Sequence, residues 1–180
     1  MLSKSSTLIL GLINNKPINA YEITKLLNIM NIKDWYNIAD STVYATIKTL
    51  ENKKYIEGKI EKEGNMPDKK IFSISEKGKN ILIETLKHAI LNFDYDTTIF
   101  SIAAFFLSIF EKKEIIVLLN TRLDILEKYL DGISHQIEKM IKDDKSSLYL
   151  ANIYRNKEII LAEKKGTTII LEKYKNYLSE

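Results

Sequence analysis

The chain has 180 residues, 45% of them hydrophobic, and a net charge of +3. That apolar content supports a buried core and excludes a disordered chain. The lack of cysteine excludes disulfides and thiolate metal sites and suits a reducing cytoplasm. No signal-peptide cleavage pattern follows Lys4, and the most apolar stretch, 99–110, is shorter than the roughly 20 residues of a membrane span. The expectation is a cytoplasmic protein with no membrane partner. Charge is divided unevenly: residues 1–80 hold 13 Lys against 9 acidic residues, a net +4, and residues 81–180 hold 14 basic against 15 acidic, a net −1. The first part is the better match for a polyanion.

In chain order, Ser5 or Ser6 opens a helix with Leu8, Ile9, Leu12 and Ile13 on its apolar face. Asn14-Asn15-Lys16-Pro17 ends it, since proline disfavours helix in the residue before it. Asn19 caps a second helix over 20–30, with Glu22 placed as in a capping box and Tyr21, Ile23, Leu26, Leu27 and Met30 as the core face. Residues 31–39 read as an irregular connection. A third helix spans 40–54, capped by Asp40 or Ser41. Val43, Ile47 and Leu50 share its buried face. The opposite face carries Ser41, Thr42, Tyr44, Ala45, Thr46, Lys48 and Thr49, side chains suited to base edges and phosphates in a major groove. An ordinary amphipathic helix has such a face too, so its neighbours decide the reading.

After Lys54 the period changes to two. Ile56, Gly58 and Ile60 alternate to one side, a polar turn follows at 64–68, and Lys70, Phe72 and Ile74 alternate again. Two strands and a turn make a hairpin. Lys62, Lys69 and Lys70 flank its tip, where they are candidates to meet a DNA backbone. Three helices followed by a hairpin form a winged helix.

The residues also resemble a family. Leu8-Ile9-Leu10-Gly11-Leu12, Ala20-Tyr21-Glu22-Ile23, Ser41-Thr42-Val43-Tyr44, Leu50-Glu51 before Tyr55-Ile56, and Lys70-Ile71-Phe72-Ser73-Ile74-Ser75-Glu76-Lys77-Gly78 are similar to the PadR family of bacterial transcriptional regulators. The match runs through 5–82 in unbroken order. It departs at Ala20, where the family usually has Gly, at Phe72-Ser-Ile-Ser75, where it usually has Tyr-x-x-Thr, and in the turn, where Asn65, Asp68 and Lys69 stand in place of an Arg. The resemblance implies a dimeric DNA-binding regulator whose C-terminal helices interlock, and in many members a response to phenolic or drug-like compounds.

Ser75 caps a long helix over 76–91, with Ile81, Leu82, Leu86, Ala89 and Ile90 on its core side. The joint at 92–96 places a winged-helix domain at 1–92 and a helical domain at 96–180. An almost wholly apolar helix follows over 99–110. Then Ile116, Leu119, Leu123, Leu126, Leu130, Ile133, Ile137 and Met140 recur at alternating spacings of three and four, a heptad seam that faces a partner helix. That partner is the last helix of the same chain or a second copy. Ile116, Leu119, Leu123, Leu126, Leu130 and Ile133 are the candidates for a dimer interface. A polar turn at 142–146 leads into the last helix, about 147–178.

No catalytic constellation is apparent. His88 and His135 stand alone, no glycine loop cradles a phosphate, and Asp143-Asp144 sit in a turn. No metal or cofactor is expected. Trp35, Phe93, Tyr95 and Phe100 are candidates for a pocket that takes a small aromatic effector, although aromatics at helical spacing are more often core. The expected fold is mostly α with a small β-hairpin wing: an N-terminal winged helix-turn-helix and a C-terminal helical dimerisation domain. The expected function is transcriptional regulation, by repression, through sequence-specific binding of double-stranded DNA as a homodimer on a palindromic operator, with relief by a small aromatic ligand. Ser41, Thr42, Tyr44, Lys48, Lys62, Lys69 and Lys70 are the candidate contacts. The alternative is a winged helix that binds protein and not DNA.

Overall fold

The computed structural model describes residues 1–61, 69–142 and 147–176. Among the described residues the chain forms eight α-helices, a short 3-10 turn and one three-stranded antiparallel sheet. It divides into two compact units, Met1–Leu86 and Lys87–Glu180. This division lies ahead of the joint expected at 92–96, inside a helix. The last turn of that helix is part of the second unit, within which Arg122 Nη1 donates to the carbonyls of Ile90 (3.0 Å) and Ala89 (3.4 Å).

The first unit is built around α1 (Lys4–Asn15), whose residues 6–13 are all buried. A one-faced helix was expected; this one is enclosed on every side, as a central helix must be. Ser3, not Ser5 or Ser6, caps it, accepting from the Ser6 N–H at 3.2 Å. Ser5 lies instead 2.8 Å from the Tyr36 hydroxyl. Past Pro17 comes β1 (Ile18–Asn19) and then α2 (Ala20–Ile29), capped by Asn19, whose Oδ1 accepts from the Glu22 N–H at 2.9 Å. Asn31 turns the chain in the left-handed region (φ 51°), which Asn tolerates better than most residues. The connection expected to be irregular then forms a one-turn helix, α3 (Ile32–Trp35), anchored by buried Ile32.

The third predicted helix is α4 (Asp40–Asn52). Its cap position is Ala39, without a side-chain bond, because Asp40 turns outward to Lys33 Nζ at 2.7 Å. Its C-terminus closes in a Schellman arrangement: the Tyr55 N–H donates to the Leu50 carbonyl and the Lys54 N–H to the Glu51 carbonyl, both at 2.9 Å. Lys54 occupies the left-handed position (φ 57°) where glycine is usual.

Strands β2 (Ile56–Glu61) and β3 (Lys69–Ile74) pair in the register Ile56 with Ile74, Gly58 with Phe72 and Ile60 with Lys70. The two expected rows therefore stand opposite each other. Strand β1 adds to the far edge of β3, Ile18 opposite Phe72. Two residues carry no period, so this strand was not legible in advance. Ser75 caps α5 (Glu76–Leu91), its Oγ accepting from the Gly78 N–H at 3.0 Å and donating to the Lys54 carbonyl at 2.8 Å. The end of α4 and the start of α5 are thus joined backbone to side chain. Gly78 is required there: a Cβ would lie 2.0 Å from the Tyr55 carbonyl oxygen.

In the second unit, the apolar stretch expected as one helix is α6 (Thr98–Phe105) followed by a 3-10 turn at Leu107–Ile109. The Phe106 N–H turns to the Ala103 carbonyl at 3.1 Å, a tighter bond that ends the α-helix with Phe106, Leu107 and Phe110 all buried. Helices α7 (Lys112–Lys142) and α8 (Ser147–Asn176) pack along their lengths as an antiparallel pair. Leu126, Leu130, Ile133, Ile137 and Met140 meet Ile153 and Ile160 of α8, with Phe93 in the same cluster. The seam is therefore filled by the chain's own last helix. Towards the start of α7 the buried positions become Ile115, Leu118, Leu119 and Arg122, while Ile116 and Leu123 are only part-buried. A straight helix drifts by about 20° per heptad, so a strict seven-residue stripe cannot stay on one face over its whole length.

Candidate nucleic-acid interface

The first unit exposes one continuous set of polar and aromatic groups. On α4, Val43, Ile47 and Leu50 point inward as their spacing requires, and Ser41, Thr42, Tyr44, Ala45, Lys48 and Thr49 are exposed. Thr46, expected on the outer face, is buried at 9% exposure. Ser41, Thr42, Tyr44 and Lys48, the candidate contacts on this helix, are all exposed and lie within two turns. Tyr44 is 52% exposed and lines a cleft of about 430 Å³ together with Asn19, Ala20, Tyr21, Lys69, Lys70 and Phe72. The cleft joins the start of α2, the outer face of α4 and the first residues of β3. Its lining surface is mostly apolar, supplied by two tyrosines, Phe72 and the stems of two lysines.

Tyr21 stands outside the core face on which it was expected. It was expected in the core of α2, yet it is 69% exposed and lines this cleft. Met30, expected on the same core face, is 44% exposed, and the buried positions are Ile23, Thr24 and Leu27. At 100° per residue, Tyr21 stands about 160° from Ile23, so strict helical spacing already put it outside.

The wing residues behave differently from one another. Lys62 lies outside the described residues. Lys69 is exposed at the start of β3, opposite Glu61 in the ladder. Lys70 is exposed and its side chain leans across to α4. Its Nζ lies 2.7 Å from Glu51 Oε1 and 2.9 Å from Oε2, near the end of α4, and 5.5 Å from the centre of the Phe72 ring.

The candidate effector residues are divided between the two units. Trp35 belongs to the first unit, and Phe93, Tyr95 and Phe100 to the second. Phe93 and Tyr95 meet edge to face at 5.0 Å, and Phe93 meets Tyr129 at 5.1 Å. Tyr95 and Tyr129 line an open groove of about 390 Å³ with Lys128, Gly132, Ile133 and Gln136. Phe100 is already covered: the Arg122 guanidinium stacks on its ring at 3.5 Å. Burial pulls the Arg122 pKa below its ordinary value, and the hydrogen bond and charge of Glu163 act against that fall. Of the six heptad residues expected at a dimer interface, Leu119, Leu126, Leu130 and Ile133 are interior to the chain's own fold. Among the described residues, no group of acidic and histidine side chains is placed to hold a metal ion, and no helix is long and apolar enough to cross a membrane.

Residues 9–84 match the model of the transcriptional regulator PadR-like family. This part of the chain is PadR-like. No curated protein matches the chain significantly. Among solved structures, the chain is similar to Bacillus subtilis PadR in complex with operator DNA, at 19% identity over 94% of this chain and 98% of that one, with a TM-score of 0.43. It is similar to smu.1604c of Streptococcus mutans at 22% identity over 96% and 99%, with a TM-score of 0.44. It is also similar to Bacillus subtilis PadR in complex with p-coumaric acid, at 17% identity over 96% of each chain, with a TM-score of 0.40. The PadR-like stretch takes in the α4 face, the start of α2 and both strands of the wing.

Proposed function

We propose that the protein is a cytoplasmic, sequence-specific DNA-binding repressor that acts as a homodimer on a palindromic operator. The observation that carries this reading is the exposed α4 face within a PadR-like unit, with Ser41, Thr42, Tyr44 and Lys48 outward beside the cleft that holds Tyr21 and Lys69. In the reading, α4 enters the major groove, with Ser41 and Thr42 at base edges and Lys48 at a phosphate. Tyr21 and Tyr44 flank the adjacent backbone, and Lys69 approaches it from the wing. Repression follows from occupying a promoter.

Two copies bring two α4 helices to half-sites about 34–36 Å apart. With most of the heptad stripe interior, we place the second copy on the outer side of α8, where Tyr154, Leu161 and Ile169 are 45%, 39% and 50% exposed. A small aromatic effector is part of the proposal. Its place is the groove of Tyr95, Lys128, Tyr129 and Gln136, where two rings and an amine face the same space.

The test is retardation of duplex DNA from the region upstream of the protein's own gene, followed over a salt series. Log affinity should fall linearly with log salt, since each neutralised phosphate releases counterions. A chain that retards no duplex at low salt is not a DNA-binding regulator, and the protein-binding winged helix then takes its place.

A further inference from the structure

Lys70 and Glu51 stand 19 positions apart in sequence and meet across Gly58. Three features of the chain converge on that contact. Glu51 is the penultimate residue of α4, where the helix dipole disfavours an anion, so the helix itself gains nothing from a carboxylate there. Gly58 faces the pair: a Cβ at that position would lie 2.2 Å from Lys70 Cε and 2.9 Å from Glu51 Oε1. Phe72, opposite Gly58 in the ladder, lies beneath the ammonium of Lys70. With no side chain at Gly58, Lys70 crosses over it on the surface, its amine above Phe72, to reach the part-exposed carboxylate.

We infer that Glu51 and Lys70 form a clamp that sets the wing against the reading helix, which makes Lys70 a positioning residue and not a phosphate contact. The inference rests on the DNA-binding reading above. A charge already satisfied by Glu51 releases no counterion when DNA binds, so Lys70 does not count among the neutralised phosphates. Its effect is on geometry: the wing and α4 must meet adjacent grooves at once, and the clamp fixes the root from which the wing reaches. Glu51 in turn keeps the wing from adding sequence-independent attraction, which favours the operator over other DNA.

The experiment measures the full chain on two duplexes, its own upstream region and an unrelated sequence, over a salt series. Lys70→Ala should leave the salt slope unchanged and lower the ratio of operator to unrelated affinity by about fivefold to twentyfold, the size expected for a coupled contact. Glu51→Gln should free the amine, steepening the slope by about 0.9. Gly58→Ala should do the same while keeping both charges, because the added Cβ displaces the Lys70 stem. The double exchange Glu51→Lys with Lys70→Glu should return the ratio to within about threefold of the parent. A slope shallower by about 0.9 in Lys70→Ala, or a double exchange as poor as the single variants, would make Lys70 a phosphate contact and end the clamp.

Hydrogen exchange at the amides of Lys59 and Ile71 reads the clamp without DNA. It should quicken about twofold to fivefold in Glu51→Gln and in Lys70→Ala and recover in the double exchange. If the parent retards no duplex, the DNA-binding reading fails by itself, and unchanged exchange in the single variants is then the result that overturns the clamp.

Discussion

Arg122 Nη2 donates to Glu163 Oε2 at 2.8 Å, joining α7 to α8 from a position only 1% exposed. The same guanidinium donates to two carbonyls at the end of α5 and stacks on Phe100. One side chain thus ties four elements of the second unit. Arg122→Met leaves Glu163 without its partner and the carbonyls of Ala89 and Ile90 without a donor. It should destabilise the protein by about 3–5 kcal/mol, the cost of breaking a buried pair from one side. Glu163 is 17% exposed, so Glu163→Gln, which keeps an acceptor near water, should cost about 1–2 kcal/mol. The double change to Met at both positions should recover part of the loss. Urea unfolding of the full chain, followed by circular dichroism, gives all three values.

Two glycines should respond in opposite directions to alanine. At Gly78 the new methyl meets the backbone oxygen of Tyr55, and neither helix start nor turn can move without losing the Ser75 bonds. Gly78→Ala should cost about 1–3 kcal/mol, as overpacking does. At Gly132, in the middle of α7, nothing lies within 4 Å of an added Cβ. Gly132→Ala should stabilise by up to about 1 kcal/mol through helix propensity alone. Thermal melts of the two variants side by side make the comparison; a destabilised Gly132→Ala would show that another molecule packs on that turn.

Changes on the two sides of the α7–α8 pair should separate folding from assembly. Leu126 is fully buried, so Leu126→Glu places an unpaired charge in the core and should unfold the second unit. Leu161→Glu together with Ile169→Lys alters only exposed positions, and these variants should keep their helical signal and sediment as monomers. A dimer that survives both outer changes moves the interface elsewhere.

On the DNA side, Lys48→Ala should weaken binding to all sequences alike and lower the salt slope by about one. Ser41→Ala and Thr42→Ala should change the preferred sequence more than the overall affinity. Tyr21→Ala should lower affinity for every duplex without altering preference, as a backbone contact does. Binding by all four variants at parental strength would show that the α4 face and its cleft are not the interface.

The sequence by itself determined whatever depends on neighbours within a few residues. Pro17 ended α1, Asn19 and Ser75 capped their helices, Val43, Ile47 and Leu50 marked the buried side of α4, and alternation marked the wing. These follow from backbone sterics and from periods of 3.6 and two, which a short window contains. Only the tertiary structure decided the rest. It filled the heptad stripe with α8 of the same chain, because a periodic stripe specifies that a partner exists and not which one. It buried Arg122, which no periodicity marks, since its partners lie 32 to 41 positions away. It turned Tyr21 out to the cleft beside Tyr44 and drew Lys70 back to Glu51. Charge and aromaticity say what a side chain can bind, and the choice among partners is made by which of them the fold brings within a few ångströms.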